Sequence, residues 1–323
     1  MKTVGIRVCS LAILFIGLQV IIHSQERIKI VVIPKSNTSY YWKLVRTGIK
    51  LGAVALSRID IEWRAPEIDH DKAQQISILE ECITEGVSGI VLSPLDNVAL
   101  AIPVAKALKK NIPVLIFDSA LKGKPGKDFI CFVGIDNSKA GKIAGEELAK
   151  LLGGKGKVVL LGSKGSSNII AREEGFLETL AKYKGLQLIK QISYTGTSSD
   201  EAMDASMKMA DQLKEADGIF CSREILTIGM LNALRNLHLI GKVKFIGFDT
   251  PAAAVDALKK GEMSALISQN PARMGFFAIK TIVDHIRGKE VPSTIDIDVQ
   301  IITRENINDP NIQKLLILPG IKE

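Results

Sequence analysis

The chain has 323 residues, with 42 Lys and Arg against 35 Asp and Glu and a formal net charge of +7. Its basic residues stand singly or in pairs such as Lys109-Lys110 and Lys259-Lys260, a pattern that describes a solvated surface and argues against a nucleic-acid footprint. The length exceeds what one hydrophobic core serves comfortably, so two lobes are expected.

The first element is an address. Lys2 and Arg7 precede an apolar run from Leu11 to Ile22, interrupted by Gly17 and Gln19 and ended by His23-Ser24-Gln25. About 12 apolar residues, against the about 20 that span a bilayer, predict a secretory signal peptide over residues 1–24 and export to the periplasm. Cys9 lies before the apolar run, so it is not the lipid-bearing cysteine of a lipoprotein. Beyond the leader stand Cys82, Cys131 and Cys221, an odd number with no C-x-x-C spacing. They sit in apolar stretches and are expected to be small buried hydrophobes.

From Ile28 strands and helices alternate. Residues 28–33 read as a buried strand closed by Pro34, 40–57 as a helix and 59–63 as an alternating strand. A helix over 72–84 stops at Gly86, and 89–93 is an apolar strand before Pro94. A helix over 97–110 and a strand over 112–117 follow. The pattern then repeats: Asp136 opens a helix over 138–152, followed by strand 157–161, helix 172–183, strand 186–193 and helix 199–214. Strand 218–221, helix 226–237 and strand 243–248 continue it. Such alternation predicts βαβ units and parallel sheets covered on both faces, one half over 28–135 and a second over 136–269.

An internal echo supports duplication. Gly89-Ile-Val-Leu-Ser93 leads through a helix to a strand ending Phe117-Asp118-Ser119; Gly218-Ile-Phe-Cys-Ser222 leads likewise to Phe248-Asp249-Thr250. Each copy places an aspartate just past the carboxyl end of a parallel strand, where α/β sheets bind ligands.

Catalysis finds no candidate. The four histidines (His23, His70, His238, His285) lack metal-ligand spacing, and no G-x-S-x-G elbow accompanies them. Gly153-Gly-Lys-Gly156 lacks the P-loop spacing and precedes a strand instead of following one. No enzyme, metal or cofactor is expected. Binding does have candidates. A carboxylate accepts hydrogen bonds from adjacent hydroxyls, and aromatic faces cover the C–H side of a sugar ring. Asp118 and Asp249 supply the first element; Tyr40, Tyr41 and Trp42 supply the second. The alternatives stay open at this point: the aspartates could cap following turns or helices, and Trp42 could be a core residue.

Phe117-Asp118-Ser119, Asp136-Asn137 with Ala140-Gly141, Arg172-Glu-Glu-Gly-Phe176, Gly247-Phe248-Asp249 and Gln269 occur in the order seen in ribose-type (type I) periplasmic sugar-binding proteins. The chain resembles that family from Ile28 to about Glu305. The resemblance implies two Rossmann-like, doubly wound parallel-sheet lobes joined by three crossings near Ile135, Gln269 and Asp298. The lobes would comprise residues 25–135 with 270–298 and residues 136–269 with 299–323. It implies capture of a small polar ligand, a monosaccharide, by hinge closure and its delivery to a membrane permease of the ABC type.

Carried over by position, the family's sugar contacts fall on Ser39, Tyr41 and Trp42, then Ser93, Asp118 and Ser119. Ile170, Arg223, Phe248, Asp249 and Gln269 complete them. Ser39, Ser93 and Arg223 stand where ribose binders have asparagines, and Ser119 and Ile170 where they have arginines; an apolar Ile170 argues against ribose itself. Lys35, with Asp118-Ser119, is similar to binding proteins for the furanosyl quorum-sensing autoinducer, an alternative ligand. Lys35 with Arg223 would also suit a sugar acid. A receptor that presents its ligand to a chemoreceptor or sensor kinase would have the same fold and pocket. A lac-repressor-type regulator would carry a helix-turn-helix module ahead of the sheet, where this chain has its apolar leader.

Overall fold

The computed structural model describes residues 27–316 apart from 38, 69, 70 and 165. The expected signal peptide, Cys9, His23 and His70 lie outside the described residues. No helix of the described residues is long and apolar enough to cross a membrane.

The first lobe is built from β1 (Ile28–Ile33), α1 (Tyr40–Val54), β2 (Ile59–Trp63), α2 (Lys72–Glu85), β3 (Gly89–Leu92), α3 (Ala101–Lys109), β4 (Val114–Phe117) and β5 (Phe132–Gly134). The second follows with α4 (Asn137–Leu151), β6 (Lys155–Ser163), α5 (Ser167–Leu180), β7 (Gly185–Tyr194), α6 (Ser199–Met207), α7 (Ala210–Glu215) and β8 (Gly218–Cys221). It continues through α8 (Glu224–Asn236), β9 (Lys244–Phe248), α9 (Ala252–Lys260) and β10 (Ala265–Ser268). Then come α10 (Pro271–Ile286), β11 (Thr294–Asp296), β12 (Gln300–Ile302) and α11 (Pro310–Leu316).

Two six-stranded sheets result, ordered β11-β5-β4-β3-β1-β2 and β12-β10-β9-β8-β6-β7. The strand pairs are parallel except β10 with β12. Each sheet winds outward in both directions from its first strand, so its topological switch point lies between β1 and β3 or between β6 and β8. The chain passes between the sheets three times, near residues 135–136, 269–270 and 297–299.

Alternation in the buried strands sorts the cores. Ile30 and Val32 face α1 and α10, whereas Val31 and Ile33 join Leu79 of α2 and Val104 of α3. The second lobe divides the same way, with Val158 and Leu160 on one face and Val159 and Leu161 on the other. Cys82, Cys131 and Cys221 are free and buried among these apolar side chains.

Helix crossings hold each sheet's inner layer. A Cβ on Gly141 of α4 would sit 1.8 Å from the Arg172 carbonyl oxygen, and one on Gly175 of α5 would sit 2.1 Å from that of Ser138. Only glycine permits this approach, and it sets how closely α4 and α5 cross.

Several helices differ from the sequence expectation, beginning with α1, which ends at Val54 and not at residue 57. Residues 97–100 form a turn in which Asp96 accepts from the Val98 and Ala99 amides, and α3 starts at Ala101 with Pro103 in its first turn, where a missing N–H costs nothing. The helix expected over 172–183 starts earlier, at Ser167, after the extended Ser166. The one expected over 199–214 breaks at Met209, whose backbone leaves the helical region while its side chain is buried.

Candidate functional site

The carboxyl ends of both sheets face one cleft; the loops leaving them carry most of its polar side chains, and the helix starts of α1, α5 and α8 carry the rest. Lys35 follows β1, Ser93 follows β3 and Asp118 follows β4; Arg223, Asp249 and Gln269 follow β8, β9 and β10. A cavity of about 100 Å³ lies between the lobes. Such a volume suits one small ring and falls well short of the several hundred Å³ of a drug-sized pocket.

The two aspartates have the same backbone. Asp118 and Asp249 both adopt the left-handed conformation, with φ of 61° and 64°. Their amides bond to the neighbouring strand, Asp118 N to Val133 O at 3.0 Å and Asp249 N to Ile267 O at 2.8 Å. Aspartate tolerates this region better than most residues. The turn carries each carboxylate off the strand end and into the cleft, so the duplicated motif is also a duplicated geometry.

Their side-chain surroundings differ. Tyr41 OH donates to Asp118 Oδ1 at 2.8 Å, and Ser93 Oγ donates to Oδ2 at 2.9 Å. Lys35 Nζ stands 2.9 Å from the same Oδ2, and Ser119 Oγ stands 3.3 Å from it. Lys35 also donates to Ser119 Oγ. Burial pushes the Asp118 carboxyl up, but Lys35, Tyr41 and Ser93 outweigh it and hold the group below the ordinary carboxylate range. Asp118 is therefore ionised, with most of its acceptor capacity already used.

Asp249 accepts from Gln269 Nε2 at 2.8 Å. Burial raises its pKa to about 6, with Asp118 adding to the rise and Arg172, Gln269 and Arg223 opposing it. Beside it lies Arg172, on the inner face of α5 and 2% exposed. Nη1 donates to the Ser222 carbonyl and Nη2 to Asn137 Oδ1 at 2.8 Å, while the guanidinium carbon lies 3.4 Å from the centre of the Phe248 ring. Its buried Nε–H has no protein partner among the described residues. Burial lowers the Arg172 pKa to about 10, opposed first by Asp249, and the group stays cationic. A fixed, charged donor without a partner, beside carboxylates, suits a ligand that carries hydroxyl and ring oxygens.

Of the residues expected from sequence, Lys35, Ser39, Tyr41, Trp42, Asp118, Arg223, Asp249 and Gln269 line the cavity. Ser93 and Ser119 stand behind Asp118 as its hydrogen-bond partners. Phe248 is fully buried beneath the Arg172 guanidinium. Trp42 is 7% exposed and meets Tyr41 and Phe117 edge-on, so it is at once a core residue and a cavity wall.

Ile170 does not reach the cavity; it is 45% exposed. With α5 running from Ser167, the buried face is Ile169, Arg172, Glu173 and Phe176, and helical phase turns Ile170 outward. Ile169 and Arg172 line the wall where Ile170 was expected. Sequence reasoning also missed Asn168 and Glu224, which line the cavity too. Arg172 was findable: it lies four residues before Phe176, on the same helix face.

Comparisons with known proteins agree with the two-lobed fold. Residues 30–290 match the profile of the family described as "Periplasmic binding protein domain". The D-allose-binding periplasmic protein of Escherichia coli is 26% identical over 268 residues, covering 81% of this chain and 86% of its own. A solved ABC transporter solute-binding protein from Agrobacterium vitis with bound D-fucose has a TM-score of 0.85 at 27% identity, covering 90% of this chain and all of the other. A carbohydrate transporter solute-binding protein from Agrobacterium radiobacter in complex with D-arabinose has a TM-score of 0.84 at 30% identity, covering 91% and 100%.

Proposed function

The chain belongs to the periplasmic binding protein family, and from that premise we propose that it is an exported solute-binding protein that encloses a monosaccharide between its lobes and presents it to an ABC permease. The reaction it performs is capture alone: hydrogen bonds form, and no covalent bond changes. One observation carries the reading. Arg172, whose buried Nε–H has no protein partner among the described residues, lines a ring-sized cavity whose two sides each offer a strand-end aspartate.

In this reading Asp249 and Gln269 take the ligand's hydroxyls, Arg172 Nε donates to a hydroxyl or ring oxygen, and Tyr41 and Trp42 cover the ring's apolar side. Asp118 acts chiefly by fixing Lys35, Tyr41 and Ser93, so its part differs from that of Asp249. The names of similar proteins, which bind D-allose, D-fucose and D-arabinose, support a pyranose or furanose ligand. The Lys35–Asp118 ion pair favours a second reading, a furanosyl ligand of the quorum-sensing autoinducer kind.

A thermal-shift screen of residues 25–323 against pentoses, hexoses, sugar acids and the autoinducer tests this. A ligand at a hundredfold excess over its dissociation constant stabilises by about 2.7 kcal/mol, a rise of several degrees in Tm. A rise with a single sugar class identifies the ligand. No rise with any member of the panel contradicts the monosaccharide reading.

A further inference from the structure

The N-terminus of α1 has no cap of its own. Ser39 occupies the cap position with extended backbone, yet its side chain makes no cap bond, and no acidic residue lies in the helix's first turn. A helix start leaves amide donors without intrahelical acceptors, and the positive end of its dipole favours a carboxylate. That carboxylate comes from the other lobe. Glu224, the first residue of α8, accepts from the Tyr41 amide through Oε2 at 3.1 Å, and the Tyr40 amide bonds to the same side chain.

The contact joins elements that share no sheet. α1 rides on the first lobe and α8 on the second, and the lobes are linked covalently only at the three crossings. Rotation at those crossings would draw Glu224 off α1. The turn that Glu224 caps also carries Tyr41, whose hydroxyl bonds to Asp118, and Trp42, which walls the cavity. Glu224 itself lines that cavity.

We propose that Glu224 is a positioning residue for ligand capture: its carboxylate caps α1 across the cleft, so that lobe closure and the setting of Tyr41 and Trp42 are one event. The inference rests on the reading of the cleft as a closing binding site. Glu224 reaches the ligand's affinity through α1, separately from the hydroxyl contacts made by Asp249 and Gln269.

The charged groups around it are Asp249 beyond β9 and Arg223 at the start of α8, with Arg172 of α5, Lys35 and Asp118 on the same cavity. Burial raises the Glu224 pKa to about 7, with Asp249 adding to the rise and the Tyr41 and Tyr40 amides and Arg223 opposing it. A carboxyl raised on closure takes up a proton as the lobes close. Closure therefore weakens as pH rises from the ordinary 4.5 to about 7. A glutamine here keeps an acceptor oxygen for the amides and removes that proton.

The test compares residues 25–323 of the wild type, Glu224→Ala and Glu224→Gln by hydrogen exchange at the Tyr40 and Tyr41 amides. Exchange is read without sugar and with D-allose, D-fucose and D-arabinose, alongside affinity for the same sugars at pH 5 and 7.5. Glu224→Ala is expected to speed exchange at these two amides and weaken affinity, each about tenfold, the scale of one hydrogen bond. Glu224→Gln is expected to stay within about threefold of wild type at pH 5 and to lose part of the wild type's decline in affinity toward pH 7.5. Equal exchange at Tyr41 in wild type and Glu224→Ala, with and without sugar, overturns the proposal. If the wild type binds neither these three sugars nor any other member of the thermal-shift panel, the ligand reading fails separately, and exchange in the sugar-free proteins still decides whether Glu224 caps α1.

Discussion

Asp118 and Asp249 have the same fold position, the same left-handed turn and the same amide bond to a neighbouring strand, yet their surroundings oppose each other. The first lobe holds its aspartate with Lys35, Tyr41, Ser93 and Ser119. The second meets Asp249 with one glutamine amide and lets burial raise it to about 6. A duplicated backbone thus supplies one carboxylate that organises a wall and another with acceptor capacity to offer a ligand. Backbone symmetry does not imply equal roles, because neighbouring side chains decide how much of each carboxylate is already used.

The largest expected effect breaks the organised side. Lys35→Ala leaves Asp118 charged and buried beside neutral donors only, and should cost about 3–5 kcal/mol of stability. The corresponding loss in Tm, measured by calorimetry without sugar, should exceed that of Arg172→Gln, Asp249→Asn or Ile170→Ala in the second lobe. Loss of Arg172 comes next. Arg172→Gln removes the bonds to Ser222 and Asn137 and the stacking on Phe248, with an expected cost of about 2–3 kcal/mol in chemical denaturation.

The two aspartates should respond to pH with opposite signs. Asp118, held low, contributes stability above the ordinary 3.8 that is lost as pH falls through its depressed pKa. Asp249, held high, costs nothing while protonated, and its penalty grows as pH rises from 3.8 to about 6. That penalty is on the order of 3 kcal/mol. Tm measured from pH 4 to 6.5 in wild type and Asp249→Asn should diverge in that window, with the variant gaining relative stability. Parallel curves would contradict the assignment. The smallest effect sharpens the map of α5: Ile170→Ala should change stability by no more than about 0.5 kcal/mol and leave sugar affinity unaltered by titration.

Periodicity exposed the long strands and helices and their alternation, because buried parallel strands read as apolar runs. The aspartates were legible because duplication repeats their strand-end context. The short strands β5, β11 and β12 have three residues each, too few for a pattern to emerge; they are strands because a neighbouring edge accepts them. Arg172 was displaced by the phase of one helix. Its start at Ser167 decides that Arg172 faces inward and Ile170 outward. Glu224 left no local signal at all, since its partner amide lies 183 positions away, on the other lobe.

The most direct test of the account is titration calorimetry of Asp249→Asn against wild type, with the sugar that gives the largest thermal shift. The asparagine keeps the left-handed turn and the side chain's shape while losing the charge. The account predicts a dissociation constant weakened about 10- to 100-fold, the scale of a charged hydrogen bond, in a protein whose Tm without sugar is not lowered. Undiminished affinity in Asp249→Asn would contradict it.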